Sequence, residues 1–423
     1  MIDHPQPLLS RRGATLNTPE RRYMQTEIPA GWETRRLGEV AKLIMGQSPP
    51  SSLYNEEGRG LPFYQGNAEF GYLHPVAKNW IEKEFKVAEP GDVLVSVRAP
   101  VGELNVAAER CVIGRGLAAV RGTQLDRAFT YYLMAERSQR LASLGQGSTF
   151  DAINSGDLRG LRVSVPPLPE QKKIAAILAS VDEAIQATEA VIEQTRRVKE
   201  GLLQDLLTRG IGHTRFKQTR IGEIPEAWEV KRLQEICREK ITYGIVQCGP
   251  HVDDGVPYVR VSDMLAPELS VSGMLRTDPE IAAKFSRSRV EVGDVIYALR
   301  GKIGEVRLVS PSVAGANLTQ GTARLSPAAS VSPHFLLWVM RSPATMKQGE
   351  LEAKGSTFKE ITLARLRQLR IPVPPLHEQD AIVDRLQSAE ASERQSTESL
   401  ELMQEVKTGL LQDLLTGAVR VAP

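Results

Sequence analysis

The feature that most constrains this chain is that it is written twice. Ile28-Pro29-Ala30-Gly31-Trp32-Glu33 is answered by Ile224-Pro225-Glu226-Ala227-Trp228-Glu229, an offset of 196. Gly91-Asp92-Val93-Leu94, with Arg98 and Gly102 beyond it, is answered at 202 by Gly293-Asp294-Val295-Ile296, Arg300 and Gly304. Gly147-Ser148-Thr149-Phe150 returns 208 residues later as Gly355-Ser356-Thr357-Phe358. The register then holds through Gly201-Leu202-Leu203-Gln204-Asp205-Leu206-Leu207-Thr208 and its twin at Gly409 to Thr416, with about 29 of 62 positions identical. A repeat this long is a duplicated domain plan; solenoid periods run roughly 20–50 residues.

Each copy has two physically different parts. The first is read as short strands and helices. Asp92 to Val97, Val256 to Val261 and Asp294 to Leu299 are β-branched or aromatic runs bounded by Gly and Pro, and Phe129 to Leu144 and Pro333 to Met346 read as helical. The second part is a long helix entered through Pro166-Pro167-Leu168-Pro169-Glu170-Gln171, where Pro169 and Glu170 suit a first helical turn. Ile174, Leu178, Val181, Ile185, Thr188, Ile192 and Thr195 recur at spacings of four and three, Leu202 and Leu206 resume the seam, and Gly210 and Gly212 stop it. That is a rod of roughly 57 Å at 1.5 Å per residue. In the second copy Ile382, Leu386, Leu400, Leu410 and Leu414 keep the register, while Glu393 and Ser396 at seam positions predict weaker central packing. Neither helix buries such a stripe alone, and the tethered twin is the most available partner. The expected fold is mixed α/β (α+β): two similar globules, each followed by a long helix, the helices pairing as an antiparallel coiled coil in an internal pseudo-two-fold repeat. The expected division is a disordered leader at 1–26, globules at 27–165 and 213–373, and helical spacers at 166–212 and 374–423.

Composition and motif content narrow the function. The 53 basic and 51 acidic residues leave a net charge of +2, so any surface for nucleic acid has to come from local arrangement. Three cysteines and no apolar run of membrane-spanning length suit a reduced, cytoplasmic protein without a membrane anchor. No phosphate loop and no His-Glu-x-x-His occurs, and Gly114-Arg115-Gly116 lacks the third glycine of a dinucleotide fingerprint. Cys237, Cys248 and His251 supply three possible ligands without a fourth, so no metal is expected. Glu352-Ala353-Lys354 is half of a nuclease-like pair and equally a surface charge run. No catalytic residue and no cofactor is assigned to this chain.

The ordered pair of complete motif sets, from Ile-Pro-x-x-Trp-Glu and Gly-Asp-Val-[Leu/Ile] to Gly-Ser-Thr-Phe, Pro-Pro-Leu-x-Glu-Gln and Gly-Leu-Leu-Gln-Asp-Leu-Leu-Thr, resembles the specificity subunit of type I restriction–modification enzymes. The resemblance covers the chain from about Glu27 to Val421 and implies two target recognition domains. Each would read one half of a bipartite, asymmetric site in double-stranded DNA. The helices would form a spacer and a docking surface for two modification (methyltransferase) subunits, to which restriction/translocase subunits add. S-adenosylmethionine, ATP and Mg would be held by those partners, which would methylate adenine. The DNA-binding candidates are Tyr64, Gln65, Asn67, Arg98, Ser148 and Thr149 in the first copy, and Tyr258, Arg260, Ser262, Asp263, Arg300, Lys302, Ser356 and Thr357 in the second. Gln, Asn and Arg suit base edges, while Ser-Thr pairs suit phosphates. Because Gly-Ser-Thr-Phe occurs in both copies although their targets differ, a role in the fold or a shared backbone contact is the preferred reading for it. Gly201 and Gly409, inside helical pattern, are expected to mark close approach between helices or to a partner. A rival reading is a coiled-coil adaptor joining two protein-binding modules.

Overall fold

The computed structural model describes residues 28–145, 152–266, 268–353 and 360–421. The leader and the strings at Ser148-Thr149 and Ser356-Thr357 lie outside the described residues. By contact the chain forms two compact units, Met1–Thr188 with Ser399–Pro423, and Glu189–Glu398. This grouping differs from a sequential division into globules and spacers, because each globule gathers half of each long helix.

In the first unit the central sheet runs Ala41–Met45, Leu117–Gly122, Val93–Ser96, Leu104–Val106, antiparallel throughout. Val93–Ser96 is buried on both faces, as its unbroken apolar run requires. Alternation then sorts its neighbours. Val93, Val95, Ala118 and Val120 join the core that holds helix Arg127–Gly145, while Leu94, Leu117 and Ala119 face the opposite core. A second sheet, five-stranded, pairs Leu61–Tyr64 in parallel with Cys111–Ile113. The second unit repeats this frame: Thr242–Tyr243, Thr322–Leu325, Val295–Ala298, Val306–Leu308, beside a three-stranded sheet in which Val256–Val259 lies parallel to Asn317–Leu318.

Two repeated motifs have structural roles beyond turn formation. Gly91 and Gly293 take φ of +86° and +85°, and the aspartates that follow are buried. Asp92 accepts from Arg121 at 2.8 and 2.7 Å, and Asp294 accepts from Arg324 at 2.6 Å. Gln171 and Gln379 are buried at the helix entrances. Gln171 donates to the carbonyl of Pro166 and accepts from the amide of Asp126; Gln379 does the same with Pro374 and Ser332. Each thus fastens a helix to the strand-to-helix connection of its globule.

The long helices span Leu168–Thr208 and Leu376–Thr416. Ile174, Leu178, Ile185 and Leu414 are buried in the first unit, with Val181, Leu400 and Leu410 half-buried; Ile192, Leu206, Ile382 and Leu386 are buried in the second, with Leu202 half-buried. Within the first unit the two segments run antiparallel: Arg420 meets Glu170, Lys407 meets Asp182 at 2.6 Å, and Met403 meets Thr188. In the second unit Glu393 takes hydrogen bonds from Arg196 and Lys199. The polar middle is therefore an ion-pair cluster at the seam. Burial pushes the Glu393 carboxyl up, but those two cations outweigh it and hold the group below its ordinary range.

Two expectations require correction. The helix read over Pro333 to Met346 is two helices, Pro333–Arg341 and Pro343–Glu352. Ser342 is extended (ψ 144°) because the residue before a proline is disfavoured in the helical region. A Cβ built on Gly201 or Gly409 meets nothing within 4 Å, so neither marks close approach between helices. Both sit on exposed helix surface.

Each tryptophan of the Ile-Pro-x-x-Trp-Glu motif meets the glutamate of a Pro-Pro-Leu-x-Glu-Gln motif. The Trp32 indole N–H donates to Glu170 at 3.0 Å, and that of Trp228 to Glu378 at 2.9 Å. A third member comes from the tail following a long helix. Arg420 donates to Glu170 and stacks over Trp32 at 5.7 Å; His213 hydrogen-bonds Glu378 at 2.8 Å beside Trp228. Burial alone raises the Glu170 carboxyl, but the hydrogen bonds from Arg420 and Trp32 more than offset it, leaving the group below its ordinary range.

Candidate nucleic-acid interface

The second unit carries a groove of about 750 Å³ where several chain segments converge. Its walls include Tyr258, Arg260 and Ser262 from the end of one sheet, Arg300 just past the central strand, and Thr319-Gln320-Gly321. Ile245, Val246 and Cys248 line it from the segment after Thr242–Tyr243, and Glu360 from the segment that bridges Arg300. Convergence follows from the sheet pairing. The amide of Thr319 donates to Val259, that of Ile245 to Leu318, that of Leu299 to Gly321, and that of Ile361 to Leu299. Gly244 permits the crossing, because a Cβ there would lie 1.8 Å from the carbonyl oxygen of Leu318.

Arg260 is fixed rather than free. Its Nε and Nη2 donate to Asp263 at 3.1 and 2.7 Å, and its own backbone N–H donates to the same carboxylate at 2.8 Å. Tyr258 is buried along the groove floor and hydrogen-bonded to Cys248; burial pushes both groups up, so the thiol stays protonated near neutral pH and is a poor nucleophile. The arrangement offers a guanidinium pair, an amide at Gln320, hydroxyls and a carboxylate, which is hydrogen-bonding chemistry without an activated group.

The first unit builds the same frame from different side chains. The amide of Gly114 donates to Tyr64, that of Gln47 to Ile113, and that of Val97 to Gly116, with Arg98 bridged to Ala152. Gln47, Gln65, Arg98 and Arg115 are exposed at this edge, and Ser48 accepts the amide of Arg115 at 3.3 Å. Register places Gln65 where the second unit has Arg260, and Arg115 where it has Gln320.

Of the candidates read from sequence, Tyr258, Arg260, Ser262 and Arg300 are brought together, with Asp263 behind Arg260. Gln65 and Arg98 occupy the equivalent edge of the first unit. Tyr64 is a correction: it is buried, pairs with Ile113, and its hydroxyl is pushed up to about 12 by desolvation. Tyr258 corresponds to Phe63 instead, so the expectation was one residue out, which in a strand is the other face. Asn67 is tied to Glu103 at 2.7 Å. Lys302 lies in a separate hollow of about 670 Å³ with Lys199 and Arg341. Gln47, Ser48, Arg115 and Gln320 were missed. The repeat held the signal, since Gly46/Gly244 and Gly116/Gly321 fall at offsets of 198 and 205, inside the drift from 196 to 208. Among the described residues no group of three metal-ligating side chains occurs; His251 accepts the amide of Arg276, and Glu352 pairs with Arg365.

Comparison with known proteins bears on what this frame is for. The family model described as the type I restriction modification DNA specificity domain matches residues 29–195 and again 225–402. The chain belongs to this family. The MjaX type I restriction enzyme specificity subunit of Methanocaldococcus jannaschii is 42% identical over 186 residues, 43% of this chain and 44% of that protein. The MjaVIII specificity subunit of the same organism is 25% identical over 413 residues, 93% of this chain and 94% of its own length. A solved chain from work on complex assembly and conformational transition of the type I restriction–modification system has the same fold, with a TM-score of 0.62 at 20% identity, covering 93% of this chain and all of that one. Two matches to one specificity-domain description agree with the frame built twice here. Among the described residues no helix is long and apolar enough to cross a membrane.

Proposed function

We propose that this specificity subunit reads a bipartite, asymmetric double-stranded DNA site, one half with each unit, and directs partner subunits to it without catalysis of its own. The observation that carries the reading is one backbone frame presented twice with unlike side chains: Gln65 against Arg260, Arg115 against Gln320, Ser48 against Val246. Base pairs are distinguished in the major groove by their donor and acceptor patterns, so unlike side chains on like frames select unlike half-sites. Arg98 and Arg300 are common to both frames, as sequence-independent backbone contacts require. Two modification subunits carrying S-adenosylmethionine would methylate adenine, with ATP- and Mg-dependent restriction/translocase subunits joining them in the cytoplasm. The exposed faces of the long helices are the surface left for docking.

Exchange of one globule tests this. Replacing residues 27–165 by the corresponding segment of a relative, then mapping methylation in cells that supply the modification subunits, should alter one half of the methylated motif. Alteration of both halves, or of neither, would refute modular reading and favour an adaptor.

A further inference from the structure

The groove of the second unit holds two arginines whose surroundings suit them to different tasks. Arg260 is neutralised and oriented by Asp263 through Nε and Nη2. Arg300, exposed at the same groove, has no ion pair among the described residues. Affinity for phosphate comes from unneutralised positive charge that displaces counterions. A carboxylate 2.7 Å from Arg260 cancels most of that and would repel a phosphate. Base reading makes the opposite demand: a planar guanidinium fixed in orientation with donors to spare. Asp263 occupies two of the five N–H groups and leaves the terminal Nη1/Nη2 edge for a partner. That edge fits the O6 and N7 acceptors of guanine. The two copies make the same separation, since Arg300 has its twin in Arg98, whereas Arg260 is replaced by Gln65.

We infer that Arg260, positioned by Asp263, reads a guanine in the half-site of the second unit, and that Arg300 holds the DNA backbone. This rests on the DNA-reading function proposed above. The test uses the full chain assembled with its modification subunits, methylation mapping, and binding to the mapped duplex across a salt series. The wild-type assembly comes first: no defined methylated motif would overturn the functional reading itself. Given a motif, Arg260→Gln should relax one G·C pair of one half-site, lowering discrimination there roughly ten- to a hundredfold, with the salt slope unchanged. Arg300→Gln should weaken binding to all sequences and lower the slope by about 1 with the motif intact. Arg260→Lys keeps the charge and loses the planar fork, so it should relax the same pair at an unchanged melting temperature, which separates a reading role from a folding one. An unaltered motif in both Arg260 variants, or a lowered slope in Arg260→Gln, would overturn the assignment.

Discussion

Glu170 is almost wholly buried, yet it is surrounded by donors, and this makes it a sensitive point of the first unit. Removing its carboxylate in Glu170→Ala leaves the Trp32 indole N–H buried without an acceptor and releases Arg420. An orphaned buried donor costs about 1–3 kcal/mol, so a fall of several degrees in the melting temperature of the first unit is expected. Glu170→Gln, which still accepts from Trp32, should fall less. The same group gives an acid limit. Its folded carboxyl lies below its ordinary value, so its contribution is complete above the unfolded value near 4.5 and is lost as pH falls through the folded one. Glu393 is depressed in the same direction. Melting temperature should therefore be insensitive to these groups from pH 7 to about 5 and decline below that; in Glu170→Gln the decline should be shallower. At this scale the sequence was partly legible. Arg260 and Arg300 stand out because they close Gly-bounded strands, whereas Gln47 and Arg115 reach the site only through strand pairing that no local pattern records.

The long helices were the most legible elements, because a seam at spacings of three and four over some forty residues admits few other structures. Their polar interruptions were harder to interpret. Glu393 stands where the first copy has Ile185, and it anchors Arg196 and Lys199, both partly exposed. Removing one partner of a buried ion pair is costly because it leaves a charge unpaired, but Arg196 and Lys199 both keep access to water and Glu393 lies at an otherwise apolar seam position. Glu393→Ile should then leave or raise the melting temperature and remove part of its salt dependence. A large loss would show that the cluster is required to set the helix register. Gly201 has open space around it, so Gly201→Ala should stabilise the isolated chain by up to about 1 kcal/mol, read by chemical denaturation. Gly201→Leu should leave folding intact and, if that surface docks the modification subunit proposed above, weaken assembly with it, measured by light scattering. Pro343 shows the limit of periodicity: an apolar pattern continues across a residue whose backbone cannot.

For the whole molecule, repetition was legible but its spatial grouping was not. Sequence order suggests globule, helix, globule, helix, whereas the units are one continuous segment, Glu189–Glu398, and one split segment closed by residues 399–423. Segments that are far apart in sequence meet in the contact of Arg420 with Glu170 and Trp32, and local patterns cannot encode that.

That contact bears on the order in which the protein is made. Chains emerge from the ribosome N-terminus first, and domains usually fold in that order. Here the earlier half lacks its closing segment until residues 399–423 have been made, while the later half is contiguous and complete sooner. The second unit should consequently be the first to become protease-resistant on the ribosome. Ending the chain after Glu398 should reproduce that state permanently: limited proteolysis should digest residues 28–188 and spare 189–398. Adding a peptide of residues 399–423 should restore protection to the first unit, with Arg420→Ala in the peptide weakening the rescue.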